Sequence, residues 1–433
     1  MPRLKLHFKL HWQIFIALIL AVFIGSLTAR DTALFGISLY GLFDLIGTLF
    51  LNALKMLVVP LVASALVCGM ASIGSGAALG RLGQKAVAYY LITTLLAVLV
   101  GLMMVNLVTP GIVNGQPAKA IIGLSADSAS VSANLAGKSS ADLVQIFVRM
   151  VPDNIVATAA DTNMLGLIFF FLLFGFFMTK VPGRNGEILL GFWRGVFEVM
   201  MLITHWVMRF SPIGVFALVT KVVMTTGLAA LQPLLAFFFT VLIGLAIHFF
   251  LVLPGLIFFI GGINPIPHYR AMAPALLNAF STASSAATLP LTLQCVEKNA
   301  GVSNRVSSFV VPLGATVNMD GTALYECVAV MFIAQAYGLE LGFGVQFTIV
   351  LLALLTSIGV AGIPAASLVA IVIILAAVGL PVEAIGLILA VDRLLDMCRT
   401  TVNVFSDSCG AVVIGRLEGE TGILNSAKKE EAR

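Results

Sequence analysis

The sequence predicts an all-α polytopic membrane protein whose C-terminal half contains two re-entrant helical hairpins. Three observations carry this reading. The 433 residues are 60% hydrophobic and only 10% charged, with a mean hydropathy of +1.08, far from a soluble domain. Apolar runs of membrane-spanning length recur along the chain. Two later segments are apolar at both ends but small and polar at their middles. Neither half of such a segment spans a bilayer, which takes about 20 residues.

The elements follow in order. Arg3, Lys5 and Lys9 precede an apolar run at 12–28 that lacks a convincing small-residue cleavage site. It reads as the first membrane helix, with its basic flank in the cytoplasm. Further helical runs lie at 40–72, 84–109, 147–179, 186–222 and 228–262. Lys55 and Pro60 interrupt the second, which is long enough to tilt or kink. Residues 110–146 are rich in Gly, Ser, Ala, Asn and Asp without periodicity, and read as an exposed extracellular connector.

From 264 onward the pattern changes. Segment 266–299 holds Phe280-Ser-Thr-Ala-Ser-Ser-Ala-Ala-Thr-Leu-Pro290, and segment 341–382 holds Thr356-Ser-Ile-Gly-Val-Ala-Gly-Ile-Pro-Ala-Ala-Ser367. Each reads as a helix, a non-helical tip and a returning helix. Irregular backbone at membrane depth persists only against protein or water. Each hairpin precedes a helix carrying polar residues, the arrangement of an inverted repeat around a midplane site.

The most informative helix is the last. Asp392, Asp396, Arg399, Asn403 and Asp407 are spaced by four, three, four and four, along one helix face in an apolar context. Each charge at the bilayer centre costs at least about 2.5 kcal/mol, so the stripe must pair internally, line a wet cavity or bind a charged ligand. Arg399 offers a planar fork to a carboxylate. Asp396 offers an anion to an ammonium. The hairpin tips add N–H groups and hydroxyls for a second carboxylate. The implied ligand is aspartate or glutamate, which accumulates in cells only with a coupled cation, and Asp407 is free to take one. On the preceding polar helix Asn318, Met319 and Asp320 are consecutive. Gly321 is expected to permit unwinding there, exposing hard oxygen ligands for sodium; Met319, a soft thioether, is the odd member.

Other chemistries are not supported. The five cysteines are scattered without a CxxC pair and read as core thiols. The histidines are dispersed, so no His-based metal site is expected. The sequence pI of 8.8 fits cytoplasmic loop charges such as Arg81, Lys85, Lys180 and Arg184 better than a nucleic-acid surface.

These motifs resemble the dicarboxylate/amino acid:cation symporters, the glutamate transporter family, over nearly the whole chain. The carrying stretches are Ser281-Thr-Ala-Ser-Ser-Ala-Ala-Thr-Leu-Pro290, Asn318-Met-Asp-Gly-Thr-Ala-Leu-Tyr-Glu326, Ser357-Ile-Gly-Val-Ala-Gly-Ile-Pro364 and Asp396-Met-Cys-Arg-Thr-Thr-Val-Asn403. The resemblance implies a bacterial-type sodium-coupled glutamate/aspartate transporter, not an enzyme. It implies eight transmembrane helices, two re-entrant hairpins, a homotrimer in the lipid of the cell (inner) membrane, and elevator movement. No cofactor is implied beyond sodium as coupling ion. Residues 1–83 then hold scaffold helices 1 and 2, and 84–109 helix 3 of the moving domain. Residues 110–222 hold the extracellular loop and scaffold helices 4 and 5. Residues 223–418 hold helix 6, both hairpins and helices 7 and 8, and 419–433 a cytoplasmic tail; both termini are cytoplasmic.

The resemblance also implies site residues. The substrate positions fall on Ser284, Ser285, Thr322, Ile363, Asp396, Arg399, Thr400 and Asn403, with Arg399 on the side-chain carboxylate and Asp396 on the amino group. One sodium site falls on the backbone of Gly314, Asn318 and Asn403 with the Asp407 carboxylate. A second falls on Thr316, Met319 and the tip carbonyls of Ser357, Ile358 and Val360. A third falls on Tyr90, Thr93, Thr94, Asn318 and Asp320; the run at 89–94 would otherwise pass as an interfacial belt. Archaeal members resemble this chain but carry an arginine where it has Ala283. Animal members carry one where it has Met397, whereas here Arg393 lies one turn earlier. Glu326 stands where animal members have a glutamate tied to proton symport and potassium counter-transport.

The alternatives are a C4-dicarboxylate or neutral amino acid symporter of the same fold. Asp396 argues against the first and Arg399 against the second. Proton-only glutamate carriers depart from the Asn-Met-Asp motif and the final aspartate. An intramembrane aspartyl protease needs Tyr-Asp and Gly-x-Gly-Asp motifs that are absent from the sequence. An anion channel would not accumulate substrate against a gradient.

Overall fold

The computed structural model describes residues 10–34, 37–74, 81–119, 121–122, 148, 151–160, 164–339, 341–359, 366–381 and 384–424. They are mostly helical. The helices are α1 Leu10–Leu27, α2 Leu39–Gly74, α3 Arg81–Val108, α4 Ile155–Ala160, α5 Met164–Met178, α6 Gly183–Met208, α7 Ser211–Thr226 and α8 Leu231–Ile247. After a π turn at His248–Val252 come α9 Leu253–Phe259, α10 Ile266–Thr282, α11 Ser285–Gln294, α12 Asn304–Val317, α13 Asp320–Ala336, α14 Phe343–Gly359, α15 Ala366–Val378 and α16 Ile385–Leu417. Two small antiparallel ribbons, Ala33–Leu34 with Ile37–Ser38 and Ile112–Val113 with Gln116–Pro117, follow α1 and α3.

Among the described residues, Leu39–Ala71, Arg81–Val108, Gly227–Phe259 and Asn304–Ala336 are long and apolar enough to cross a membrane. Gly183–Met208 and Ser211–Thr225, bent by 50°, make a fifth if taken together. Pro60 sits inside α2 without ending it. Within 147–179 the described residues include α4 and α5. The 186–222 run divides at Arg209 and Phe210, where Pro212 opens α7 from its first turn. The 228–262 run changes to π geometry at His248. Arg209, Ser211 and Pro212 mark the division of the 186–222 run in the sequence, whereas the π turn at His248 lies in a run that is otherwise apolar.

Two packing groups are evident. In the first, α1 packs on α7, and α2 packs on α5, α6 and α7. The crossing of α1 and α7 is close: a Cβ on Gly25 would lie 2.8 Å from Val223 Cβ. Small residues let membrane helices approach in this way. In the second, α16 is the hub, touching α3, α8, and α10 through α13. Within it α13 is buried at nearly every position, which explains why it has no polar face: every side of it meets protein.

The first of the two segments read as hairpins is helical on both sides of its small, polar middle. Its arms α10 and α11 meet at a short tip. Ala283 ends α10 in the left-handed region at φ 48°. Ser284 is extended and caps α11, its Oγ accepting from Ala287 N at 3.2 Å. The second hairpin has arms α14 and α15; its tip, residues 360–365, lies outside the described residues.

Candidate functional site

A break between α12 and α13 organises the site. Asn318 (φ −109°, ψ 103°) and Met319 (φ −127°, ψ 61°) leave the helical region, and Asp320 restarts the helix. Unwinding was expected here, but at Gly321. Gly321 is instead helical, and its missing side chain serves contact: a Cβ there would lie 2.7 Å from Arg399 O. The hub helix α16 thus touches the start of α13 backbone to backbone. Gly321 N also donates to Asn403 Oδ1 at 2.8 Å, and Asn403 Nδ2 donates to Thr322 Oγ1 at 3.2 Å.

Buried oxygens gather at this break. Thr94 Oγ1 donates to Asp320 Oδ1 at 2.8 Å and reaches Asn318 Oδ1 at 3.2 Å. Thr93 Oγ1 reaches Asn318 Oδ1 at 3.3 Å. Asn318 Nδ2 donates to Asp407 Oδ1 at 3.0 Å and to Ser406 Oγ at 2.9 Å. Asp320 and Asp407 are both buried, and among the described residues neither pairs with a Lys or Arg. A carboxylate in that position needs another positive partner. The donor set is carboxylate, amide and hydroxyl oxygen, which suits a hard monovalent cation.

Thr93, Thr94, Asn318 and Asp320 therefore come together. Tyr90 stands slightly apart: its hydroxyl donates to Val310 O at 2.7 Å. Tyr89 and Tyr90 are both buried, so they are not an interfacial belt. Gly314 faces Asp407 so closely that a Cβ would lie 2.5 Å from Oδ1 and 2.6 Å from Tyr90 Oη. Its carbonyl accepts from Asn318 N at 2.7 Å. Met319 and Ser357 are buried, whereas Thr316 is exposed; the Thr316 and Ser357 hydroxyls bond to carbonyls of their own helices. No described contact joins these three. The Ile358 side chain, Val360 and Ile363 lie outside the described residues.

Beside the break lies a cavity of about 370 Å³, within the range of small-molecule sites. One wall carries Ser284 and Ser285 of the first tip, Met319 and Thr322, and Asp392, Arg393, Asp396, Thr400 and Asn403 of α16. The opposite wall comes from the α6–α7 bend, with His205, Met208, Arg209 and Ser211. Arg399 lies behind this wall, 1% exposed. Its guanidinium carbon stacks 3.9 Å from the centroid of the Tyr325 ring. Its Nη2 bonds Asp392 Oδ1 at 3.0 Å and Asp396 Oδ1 at 3.2 Å, while Nε and Nη1 are buried without a partner among the described residues. Two donors of the fork thus carry no bond among the described residues.

Three contacts escaped the sequence reading. His248 Nε2 lies 2.9 Å from Asp320 Oδ2, and Ser406 Oγ donates to the same oxygen at 2.6 Å. Asp392 shares Arg399. A lone histidine in an apolar run is a weak signal, but it is the sort of intramembrane ionisable group that asks for a partner. Glu326 is fully buried; its Oε2 accepts from Thr356 Oγ1 of the second hairpin at 2.8 Å, and Oε1 has no partner among the described residues.

Comparison with known proteins agrees with this geometry. The family model described as Sodium:dicarboxylate symporter family matches residues 10–417. The chain is 36% identical to the proton/sodium-glutamate symport protein of Geobacillus stearothermophilus over 411 residues, 95% of each chain. It is 36% identical to the proton/glutamate-aspartate symporter of Escherichia coli (strain K12) over 415 residues, covering 96% of this chain and 94% of that one. It is 37% identical to excitatory amino acid transporter 3 of Homo sapiens over 421 residues, covering 86% of this chain and 78% of that one. A match across nearly the full length leads to one conclusion: the chain belongs to the sodium:dicarboxylate symporter family, a family of transporters and not of enzymes.

Proposed function

We propose that this protein is a secondary active symporter that takes up L-glutamate and L-aspartate with sodium across the cell (inner) membrane. The observation that carries the reading is the pairing of Asp396 with Arg399 at the cavity wall, 3.2 Å apart, beside a buried cluster of cation-ready oxygens. Arg399 receives the side-chain carboxylate through its Nε and Nη1. Asp396 receives the ammonium. Ser284, Ser285, Thr322, Thr400 and Asn403, with Ile363 of the second tip, complete the substrate shell.

Sodium is the coupling substrate. One ion takes Thr93, Thr94, Asn318 and Asp320, with Tyr90 at its edge. Another takes Asp407 with backbone oxygens of Gly314, Asn318 and Asn403. A third takes Met319 and Thr316 with the carbonyls of Ser357, Ile358 and Val360. Binding these ions neutralises carboxylates that are otherwise costly to bury, which is the thermodynamic basis of coupling. Glu326 carries a proton with the substrate, potassium being exchanged on the return step.

In this reading α1, α2 and the α5–α7 region form a fixed trimeric scaffold embedded in lipid. Helix α3 and everything from α8 to α16 move as one body past it, with the cavity at their boundary. What supports this is the cavity itself, which lies where the α6–α7 bend meets the first tip and α16. The experiment is uptake of labelled glutamate and aspartate into proteoliposomes with sodium, proton and potassium gradients imposed singly. Accumulation driven by inward sodium is expected. Uptake indifferent to sodium would overturn the reading.

A further inference from the structure

Asp396, the residue assigned to the ligand ammonium, already has a cation on each oxygen. Oδ1 takes Arg399 Nη2 at 3.2 Å, and Oδ2 takes Arg393 Nη1 at 2.9 Å. Among the described residues these are the cations bonded to it. Arg399 is itself shared with Asp392. The four side chains form a neutral quartet of two carboxylates and two guanidiniums on successive turns of α16. The members differ in freedom. The Arg399 side chain is 1% exposed, whereas those of Arg393 and Asp396 are 23% and 21% exposed and line the cavity. Arg399 is locked under Tyr325; Arg393 is the guanidinium that can leave.

We propose that Arg393 is a positioning and specificity-determining residue that occupies Asp396 in place of the ligand ammonium. The proposal rests on the acidic amino acid reading above and adds to it. An amino diacid must displace the Arg393 guanidinium from Oδ2 to place its own ammonium there. The exchange swaps one cation for another, so it preserves charge but gives up a short ion pair. A diacid without an amino group need not displace anything, because Asp396 stays neutralised by Arg393. The presence of Arg393 therefore narrows the gap between amino diacids and plain diacids. Without it, Asp396 depends on an Arg399 already claimed by Asp392. The ligand ammonium then becomes the missing cation, and a plain diacid faces an uncompensated carboxylate.

The test compares L-aspartate with succinate, which differ by the amino group. Dissociation constants are measured in saturating sodium for the wild type, Arg393→Met and Arg393→Lys, all purified in detergent. The succinate-to-aspartate ratio should rise by about tenfold or more in Arg393→Met, the scale of a hydrogen-bonded charge losing its partner. Arg393→Lys keeps the charge and should stay near the wild-type ratio. General damage to the site would weaken both ligands and leave the ratio in place, so the ratio isolates the proposed role. An unchanged or lower ratio in Arg393→Met, or an equal rise in Arg393→Lys, overturns the proposal. If Arg393→Met does not fold, Arg393→Gln makes the same comparison. A wild type that binds neither aspartate nor glutamate in sodium would overturn the acidic amino acid reading, and this proposal with it.

Discussion

Thr94 and Asp320 lie 226 positions apart in the chain and share a buried hydrogen bond of 2.8 Å. It joins α3 to the restarted helix α13 at the point where Asn318 also arrives. The bond satisfies one oxygen of Asp320, while Ser406 and His248 approach the other. What none of the three hydroxyl and imidazole partners supplies is a fixed positive charge. Asp320→Asn is therefore expected to raise the sodium concentration for half-maximal substrate binding by tenfold or more, about 1.4 kcal/mol. Sodium titration of substrate binding checks this. A sodium dependence identical to wild type would remove Asp320 from the ion path.

Gly314 gives an independent check on the neighbouring ion. Its Cα faces Asp407 and Tyr90, and an added Cβ would lie within 2.6 Å of both side chains. Something must shift, and both neighbours are held in place, Asp407 on α16 itself and Tyr90 on α3, which packs on α16. Gly314→Ala is expected to weaken sodium binding much as Asp407→Asn does. The double variant should show little further loss, because both changes act on one site. Additive losses measured by sodium titration would separate Gly314 from Asp407.

Arg399→Cys removes the fork. Asp392 and Asp396 would lose their shared buried partner, and the ligand carboxylate its receptor. Removing one member of a buried ion pair typically costs about 3–5 kcal/mol. Glutamate and aspartate binding should fall by at least two orders of magnitude, with neutral amino acids gaining relative to acidic ones. Competition binding with glutamate and serine reads both effects.

The interruption of segment 266–299 at its polar middle and the polar stripe of α16 were legible because they rest on composition and period. Ser, Ala, Gly and Pro clusters interrupt apolar runs, and the spacing of Asp392, Asp396, Arg399, Asn403 and Asp407 needs only 3.6 residues per turn. What period cannot show is which charge takes which. Asp392 claims Arg399 from seven positions away, a choice made by rotamers and by the Tyr325 ring beneath. The break at Asn318 and Met319 was displaced from the glycine expected to cause it. It is held by tertiary bonds from Asn318 to Ser406 and Asp407, and backbone propensity does not encode such bonds. His248 reaches Asp320 from an apolar stretch whose π turn has no sequence signature.

At the other end of α16, Glu418 gathers three bases. Lys85 Nζ is at 2.6 Å, Arg305 Nη2 at 3.1 Å and Arg81 Nε at 3.6 Å. The Lys85 hydrogen bond, then the surrounding positive charge, holds the Glu418 carboxyl below the ordinary glutamate value of 4.5. A carboxyl depressed in the folded state contributes stability above its unfolded pKa and loses it as pH falls through the folded one. Thermal stability in detergent should therefore decline below about pH 4.5, and Glu418→Gln should flatten that part of the decline. Equal slopes in the two proteins would mean that the cluster contributes nothing across this range.

Glu326 is the remaining ionisable group, and its bonding bears on what accompanies sodium. Its carboxyl is fully buried, with Oε1 unpartnered among the described residues and Oε2 meeting Thr356 Oγ1 at 2.8 Å. Thr356 Oγ1 also lies 2.8 Å from Leu352 O. The hydroxyl has one hydrogen. If it is given to Leu352 O, Thr356 can only accept from Glu326, which must then bear a proton. If it is given to Glu326, Oε2 accepts it either as a carboxylate oxygen or as the carbonyl oxygen of a neutral acid, and the anion, with one bond in an apolar helix, is the more expensive of the two. Thr356, the one described hydrogen-bond partner of Glu326, belongs to α14. A movement of that helix that opened Glu326 to water would lower the cost of the anion and let the proton leave. Glu326→Gln cannot release one. It is expected to abolish the pH dependence of net uptake while leaving glutamate exchange largely intact, since exchange does not require the empty carrier to return. Thr356→Val should shift that pH dependence without removing it. If Glu326→Gln keeps the wild-type pH profile of net uptake in proteoliposomes, Glu326 is a structural anchor for the hairpin, and coupling is to sodium alone.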